Sequence, residues 1–200
     1  MSYFLPSIFL CISSLFFYSK LKINFSTSVL LSCLITTFFL FILGKLGLLK
    51  EGLIIVKTLI ILSLFFTITK IYNEKQYKKL IEALYFFFLY FLLFLFCENL
   101  TLYKYDEFSE YGITSKLLFS ENNIGINIDY LNKGTNFKPN LILFFLYFFL
   151  SFEKRFFSEI HAYIAHNFLL FLSIIFLKKK KNYNFKNNII IFFIIFFLSY

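Results

Sequence analysis

Three carboxylates fall within five positions of the stretch Tyr105-Asp106-Glu107-Phe108-Ser109-Glu110-Tyr111-Gly112-Ile113, interleaved with aromatic side chains. Acids grouped this closely can share proton-transfer work at a reacting hydroxyl. In a helix, Asp106 and Glu110 share a face with Glu107 close by, and Phe108, Tyr111 and Leu118 mark a facing apolar stripe. Such a helix lies on a membrane surface and holds its acids at the depth of a lipid headgroup. Composition alone favours a plainer reading, an ordinary solvated acidic loop, and both readings stay open at this level.

The elements that must carry this stretch are strongly apolar. The chain of 200 residues is 60% hydrophobic with 34 Phe, and its mean hydropathy is +0.77. That is more apolar surface than a soluble domain of this size can bury in one core. Phe, Ile, Leu, Lys and Asn dominate throughout, so single Phe residues carry no functional weight here. The runs Tyr3–Tyr18, Thr27–Gly44, Gly52–Thr69 and Leu80–Cys97 are each near the ~20 residues a spanning helix needs. They are continuously apolar, without the alternation of a membrane barrel, and in hydrocarbon the backbone must satisfy itself internally, so helices follow. The expected fold is an all-α integral membrane protein, a multi-pass helical bundle with one long external loop carrying surface helices. Its parts are four transmembrane helices over 1–97, the external polar loop with the acidic motif over 98–140, and a short re-entrant or interfacial segment plus a transmembrane helix over 141–177. A cytoplasmic Lys-rich connection and the start of a truncated helix fill 178–200. The first run lacks the flanks of a cleaved signal peptide and is expected to stay as a helix.

Charge sets the orientation. The net charge of +9 sits in short stretches between apolar runs, the pattern of helices oriented against a cytoplasmic face rather than of a nucleic-acid binder. Lys70, Lys75, Lys78 and Lys79 face only Glu74 in one connection, whereas 98–140 holds six carboxylates against Lys104, Lys116, Lys133 and Lys138. The first connection is therefore expected inside, the polar segment outside, and the N-terminus outside. If Leu141–Phe152 and Ile160–Leu177 both crossed, the four lysines Lys178–Lys181 would lie outside, against the same rule. Leu141–Phe152 covers only about 18 Å as a helix, which suits a re-entrant or interfacial segment. A short tilted span is the alternative. The last run starts near Asn188 and reaches Tyr200 after too few residues to cross, as in a chain cut inside a helix.

Other reactive side chains offer less. Cys11, Cys33 and Cys97 lie in or at the ends of apolar runs, without metal or disulfide spacing, and read as small apolar residues. Lys57 lies about 8 Å inside the third run, a depth at which an ionisable residue is worth a functional look, but its length lets it reach the surface and snorkelling is the expected reading. His161 and His166 are five apart and do not share a helix face. No Gly-rich phosphate loop is present, which argues against a nucleotide-driven pump or kinase.

The string YDEFSEYGITSKLLF resembles the DEFxxWG-type segment of bacterial membrane glycosyltransferases of the GT-C class, which includes protein O-mannosyltransferases and lipid A aminoarabinose transferases. In that class a Pro-containing segment follows some thirty residues later, ahead of an apolar helix. The corresponding stretch here is Asn136-Phe137-Lys138-Pro139-Asn140-Leu141, with Asn140 in place of a second proline and Tyr111 where the class usually has Trp. The match covers 104–177, and its core motif is short.

The resemblance implies a hexosyltransferase in the cell envelope, or its N-terminal part, that moves a sugar from a polyprenyl-phosphate donor to an external acceptor whose nature is open. It implies Asp106 as the base, Glu107 as an assisting acid or metal ligand, and Glu110 third. Lys138 and Arg155 become candidates for the donor phosphate, because ammonium and guanidinium groups pair with phosphate oxygens. The plainer reading of each is an interface residue that snorkels, and for Lys138 that is the favoured one. No cofactor is required by the pattern, and a divalent metal is compatible with it. The expected setting is the bacterial inner membrane, with the bilayer as partner and no nucleic acid. Two other readings remain: a transporter or flippase for a lipid-linked saccharide, though neither internal repeats nor broken helices are evident, and a non-catalytic membrane subunit.

Overall fold

Because each apolar run can satisfy its own backbone only as a helix, the runs become helices at nearly the expected bounds. The computed structural model describes residues 2–21, 23–73, 78–98, 116, 118–120, 141–152, 157 and 159–177. Among them, α1 is Leu5–Leu21, entered through a 3-10 turn at Ser2–Phe4; α2 is Phe25–Lys45; α3 is Leu49–Asn73; and α4 is Lys78–Cys97. Two more follow, α5 at Leu141–Leu150 and α6 at Glu159–Leu177. The described residues are all-helical and contain no strand. Three helices are long and apolar enough to cross a membrane, those within Phe25–Lys45, Leu49–Tyr72 and Leu80–Cys97. Of the four runs expected to span, the first is the exception, with an apolar helix of only 17 residues.

Specific contacts fix the helix directions. Ser14 meets Ser32 at 3.2 Å and Tyr18 meets Phe25 with ring centroids 5.9 Å apart, so α1 and α2 are antiparallel. Ser14 and Ser32 are fully or nearly fully buried, and small hydroxyl residues at this seam let the two backbones approach while also bonding across it. The α2–α3 turn closes at Gly47, whose φ of 73° is the left-handed conformation that glycine adopts without strain. The Leu48 amide donates back to the Leu43 carbonyl at 2.8 Å and the Gly47 amide to Gly44 at 3.0 Å, which satisfies the end of α2. Just beyond, Gly52 lets α3 press on α2, since a Cβ there would stand 2.6 Å from Leu43 Cδ1 and 2.9 Å from its Cβ.

At the far end of the hairpin, Lys70 Nζ donates to the Ser19 carbonyl at 2.6 Å, so α3 runs parallel to α1. The Tyr18 hydroxyl donates to Glu82 at 3.1 Å, while the Tyr90 hydroxyl donates to the Tyr3 carbonyl at 2.8 Å. Helix α4 is therefore antiparallel to α1. In α6, the His161 ring packs tilted against Tyr3 at 5.0 Å and Phe168 meets Phe86 at 5.6 Å, so α6 starts where α1 starts. The bundle has two ends: at one, α1, α3 and α6 begin and α2 and α4 finish; at the other lie Ser19, Lys70 and Glu82.

Helix α5 is apolar on every side, and an all-round apolar helix must be enclosed. Each residue from Leu143 to Leu150 is buried, with α2 and α6 as its main neighbours. It touches Phe41 through Phe144, and Phe168 and Tyr90 through Phe149. These three partners lie within about 14 Å of the starting end by helical rise. The short helix thus occupies only that half of the bundle.

Candidate functional site

One group of polar contacts lies in the starting half of the bundle, apart from the Ser19, Lys70 and Glu82 group at the other end. Helix α5 finishes with its backbone closed by Ser151 N to the Tyr147 carbonyl at 2.9 Å, and the Ser151 hydroxyl donates to the Phe148 carbonyl at 2.6 Å. Its own carbonyl receives Lys57 Nζ from α3 at 3.0 Å. The same ammonium stands 3.9 Å above the Phe152 ring. That ring is wedged edge-on between Phe9 at 5.0 Å and Phe148 at 5.3 Å. A helix C-terminus carries partial negative charge and unsatisfied carbonyls, and an aromatic face is electron-rich, so a cation is what this pocket suits.

Snorkelling was the expectation for Lys57, and the structure differs. The side chain turns across the bundle, where the Ser151 carbonyl and the Phe152 ring face stand at its own depth and offset part of the cost of leaving water. The partners were hidden from sequence reading by a separation of 94 residues.

A second cluster joins the polar segment to the start of α6. Lys116 Nζ lies 3.8 Å from a Glu159 carboxylate oxygen and 5.4 Å from the Phe157 ring. Phe119 packs edge-on against Phe157 at 6.3 Å. Part of the polar segment is therefore held down at the starting end. One signal for this was in the sequence, the excess of acids and lysines on either side of the apolar α5, but nothing in it named the pairing.

The candidate acids Asp106, Glu107 and Glu110, and the candidate phosphate cations Lys138 and Arg155, lie outside the described residues. Of the two histidines, His161 is fully buried and His166 is exposed, on different sides of α6. The three cysteines are free and buried, and Cys97 Sγ accepts a long contact of 3.9 Å from Asn167 Nδ2. No group of three His, Cys, Asp or Glu side chains able to hold a metal occurs among the described residues. No family model, curated protein or solved structure matches this chain.

Proposed function

We propose that this chain is a multi-pass integral membrane protein of the bacterial inner membrane, and that it transfers a sugar from a polyprenyl-phosphate donor to an acceptor outside the membrane. The observation that carries this reading is that α4 finishes and α6 begins at one end of the bundle. The intervening stretch, which contains Asp106, Glu107, Glu110, Lys138 and Arg155, is thereby tied at both of its ends to that end. The resemblance of YDEFSEYGITSKLLF to the GT-C acidic segment then supplies the chemistry.

In this reading Asp106 takes the proton of the acceptor hydroxyl as the new bond to the sugar carbon forms. The bond from that carbon to the phosphate oxygen breaks, and polyprenyl phosphate departs with the electron pair. A carboxylate also steadies the positive charge that builds on the sugar ring. Lys138 and Arg155 receive the leaving phosphate, Glu107 assists, either as an acid or as a ligand of a divalent ion, and Glu110 stands in support. Arg155 is two positions before Phe157 in the chain, the residue against which the polar segment is pinned.

The test is transfer of labelled sugar from polyprenyl-phosphate donors by membranes carrying this chain, compared with Asp106→Asn and Glu107→Gln at matched expression. Loss of a general base lowers turnover by roughly a hundredfold or more. Transfer that is unchanged in both variants overturns the assignment of the acids. Membranes that transfer nothing but move a lipid-linked saccharide across the bilayer would identify a flippase instead.

A further inference from the structure

Helix α5 reads LILFFLYFFL, with Tyr147 as the one polar side chain among its ten residues. Attraction between apolar surfaces is non-directional, and a slip by one residue moves such a helix about 1.5 Å along its axis while exchanging one Phe or Leu for another. Packing alone therefore sets its register weakly, because apolar cores lose uniqueness before they lose stability. A directional polar contact sets register more sharply.

Lys57 makes two such contacts at the end of α5. Its ammonium donates to the Ser151 carbonyl at 3.0 Å and stands 3.9 Å above the Phe152 ring, which is wedged between Phe9 and Phe148. A slip by one residue would turn Ser151 about 100° around the helix axis and carry its carbonyl off the ammonium. Lys57 reaches in from α3, whereas the main neighbours of α5 are α2 and α6. A methionine of similar length would fill the same space without the cost of holding a charge out of water. What the ammonium adds over methionine is direction.

The register of α5 decides where the chain leaves it. Arg155 follows Phe152 by three residues and precedes Phe157 by two, so covalent geometry keeps its Cα within about 11 Å of the one and about 7 Å of the other. Phe157 is itself held, by Phe119 and by the Lys116 ammonium 5.4 Å from its ring. The short stretch bearing Arg155 is thus anchored on both sides, and Lys57 supplies the upstream anchor.

We infer that Lys57 is a positioning residue for the donor phosphate: it pins Ser151 and Phe152, and through them sets where Arg155 stands. It acts through Arg155 and touches no donor atom. Its effect on the phosphate rests on the sugar-transfer reading, whereas the pin itself does not.

Two readings on the full-length protein in detergent micelles test this. Hydrogen exchange over 151–157 reports the pin. Lys57→Met and Phe152→Leu, which remove it from its two sides, should both speed exchange there and leave α1 and α2 unchanged. Lys57→Arg, which keeps a donor and a cation for the ring, should not. Binding of radiolabelled undecaprenyl phosphate reports the consequence. Arg155→Gln should weaken it about tenfold or more, the loss of a charge-assisted bond, and Lys57→Met roughly threefold or more without lowering the number of sites. Added to Arg155→Gln, Lys57→Met should change affinity by less than about twofold, because residues that act through one another are not additive. Exchange that is the same in wild type and both variants overturns the pin. Losses that multiply overturn the positioning role by making Lys57 a phosphate ligand of its own, and unchanged affinity in Lys57→Met overturns it outright. A wild type that binds no undecaprenyl phosphate refutes the sugar-transfer reading, and with it the effect on the phosphate, while exchange alone decides the pin.

Discussion

The contact of Lys57 with Phe152 can be measured with a double-mutant cycle. The perturbations are Lys57→Met and Phe152→Leu, made singly and together. The ammonium lies 3.9 Å from the ring centroid, well inside the ~6 Å over which a cation–π attraction acts. Phe9 and Phe148 hold the ring so that it cannot rotate its face away. Lys57 is half-buried, so the pair falls between an exposed contact and a desolvated one, and a coupling of about 1–2 kcal/mol is expected. The single substitution Lys57→Met is a poorer probe. It forfeits a charge-assisted bond to Ser151 worth about 1.5–3 kcal/mol, yet it also relieves part of a desolvation cost of several kcal/mol, so its sign carries little information. In the cycle both contributions cancel. The assay is reversible unfolding in mixed micelles titrated with a denaturing detergent, followed by helical circular dichroism. Additivity of the two substitutions to within about 0.3 kcal/mol would refute the clamp.

Two further outcomes can be read in the same assay. Gly47→Ala should cost about 1–2 kcal/mol, a pure backbone effect, because a Cβ there meets nothing within 4 Å; Gly47→Asn should cost less, and equal costs for the two would contradict the left-handed assignment. Glu159→Gln should cost no more than about 1 kcal/mol, since the Lys116–Glu159 pair is 44% and 29% exposed, and that cost should vanish in molar salt. A penalty that persists in salt would mean a buried role for Glu159.

Most of the helices were legible from the sequence alone, because an apolar run of 17 to 25 residues has one way to satisfy its backbone in a bilayer or a core. The bounds of α2, α3 and α4 follow from where the runs meet Lys, Gly and Asn. The length of Leu141–Phe152 likewise favoured a re-entrant or interfacial segment over a short tilted span. The acidic string at 105–113 was legible as a motif, and its chemistry is a property of residue type.

What only the tertiary structure decided is which groups meet. That α5 lies enclosed in one half of the bundle depends on α2 and α6 leaving room for an all-apolar helix, a matter of packing that no periodicity records. That Lys57 turns inward depends on a carbonyl and a ring 94 and 95 positions later in the chain. Local sequence specifies each element through backbone satisfaction and transfer free energy, which act residue by residue. Partners across the bundle are selected by shape and by the cost of an unpaired polar group, and these exist only once the elements are assembled.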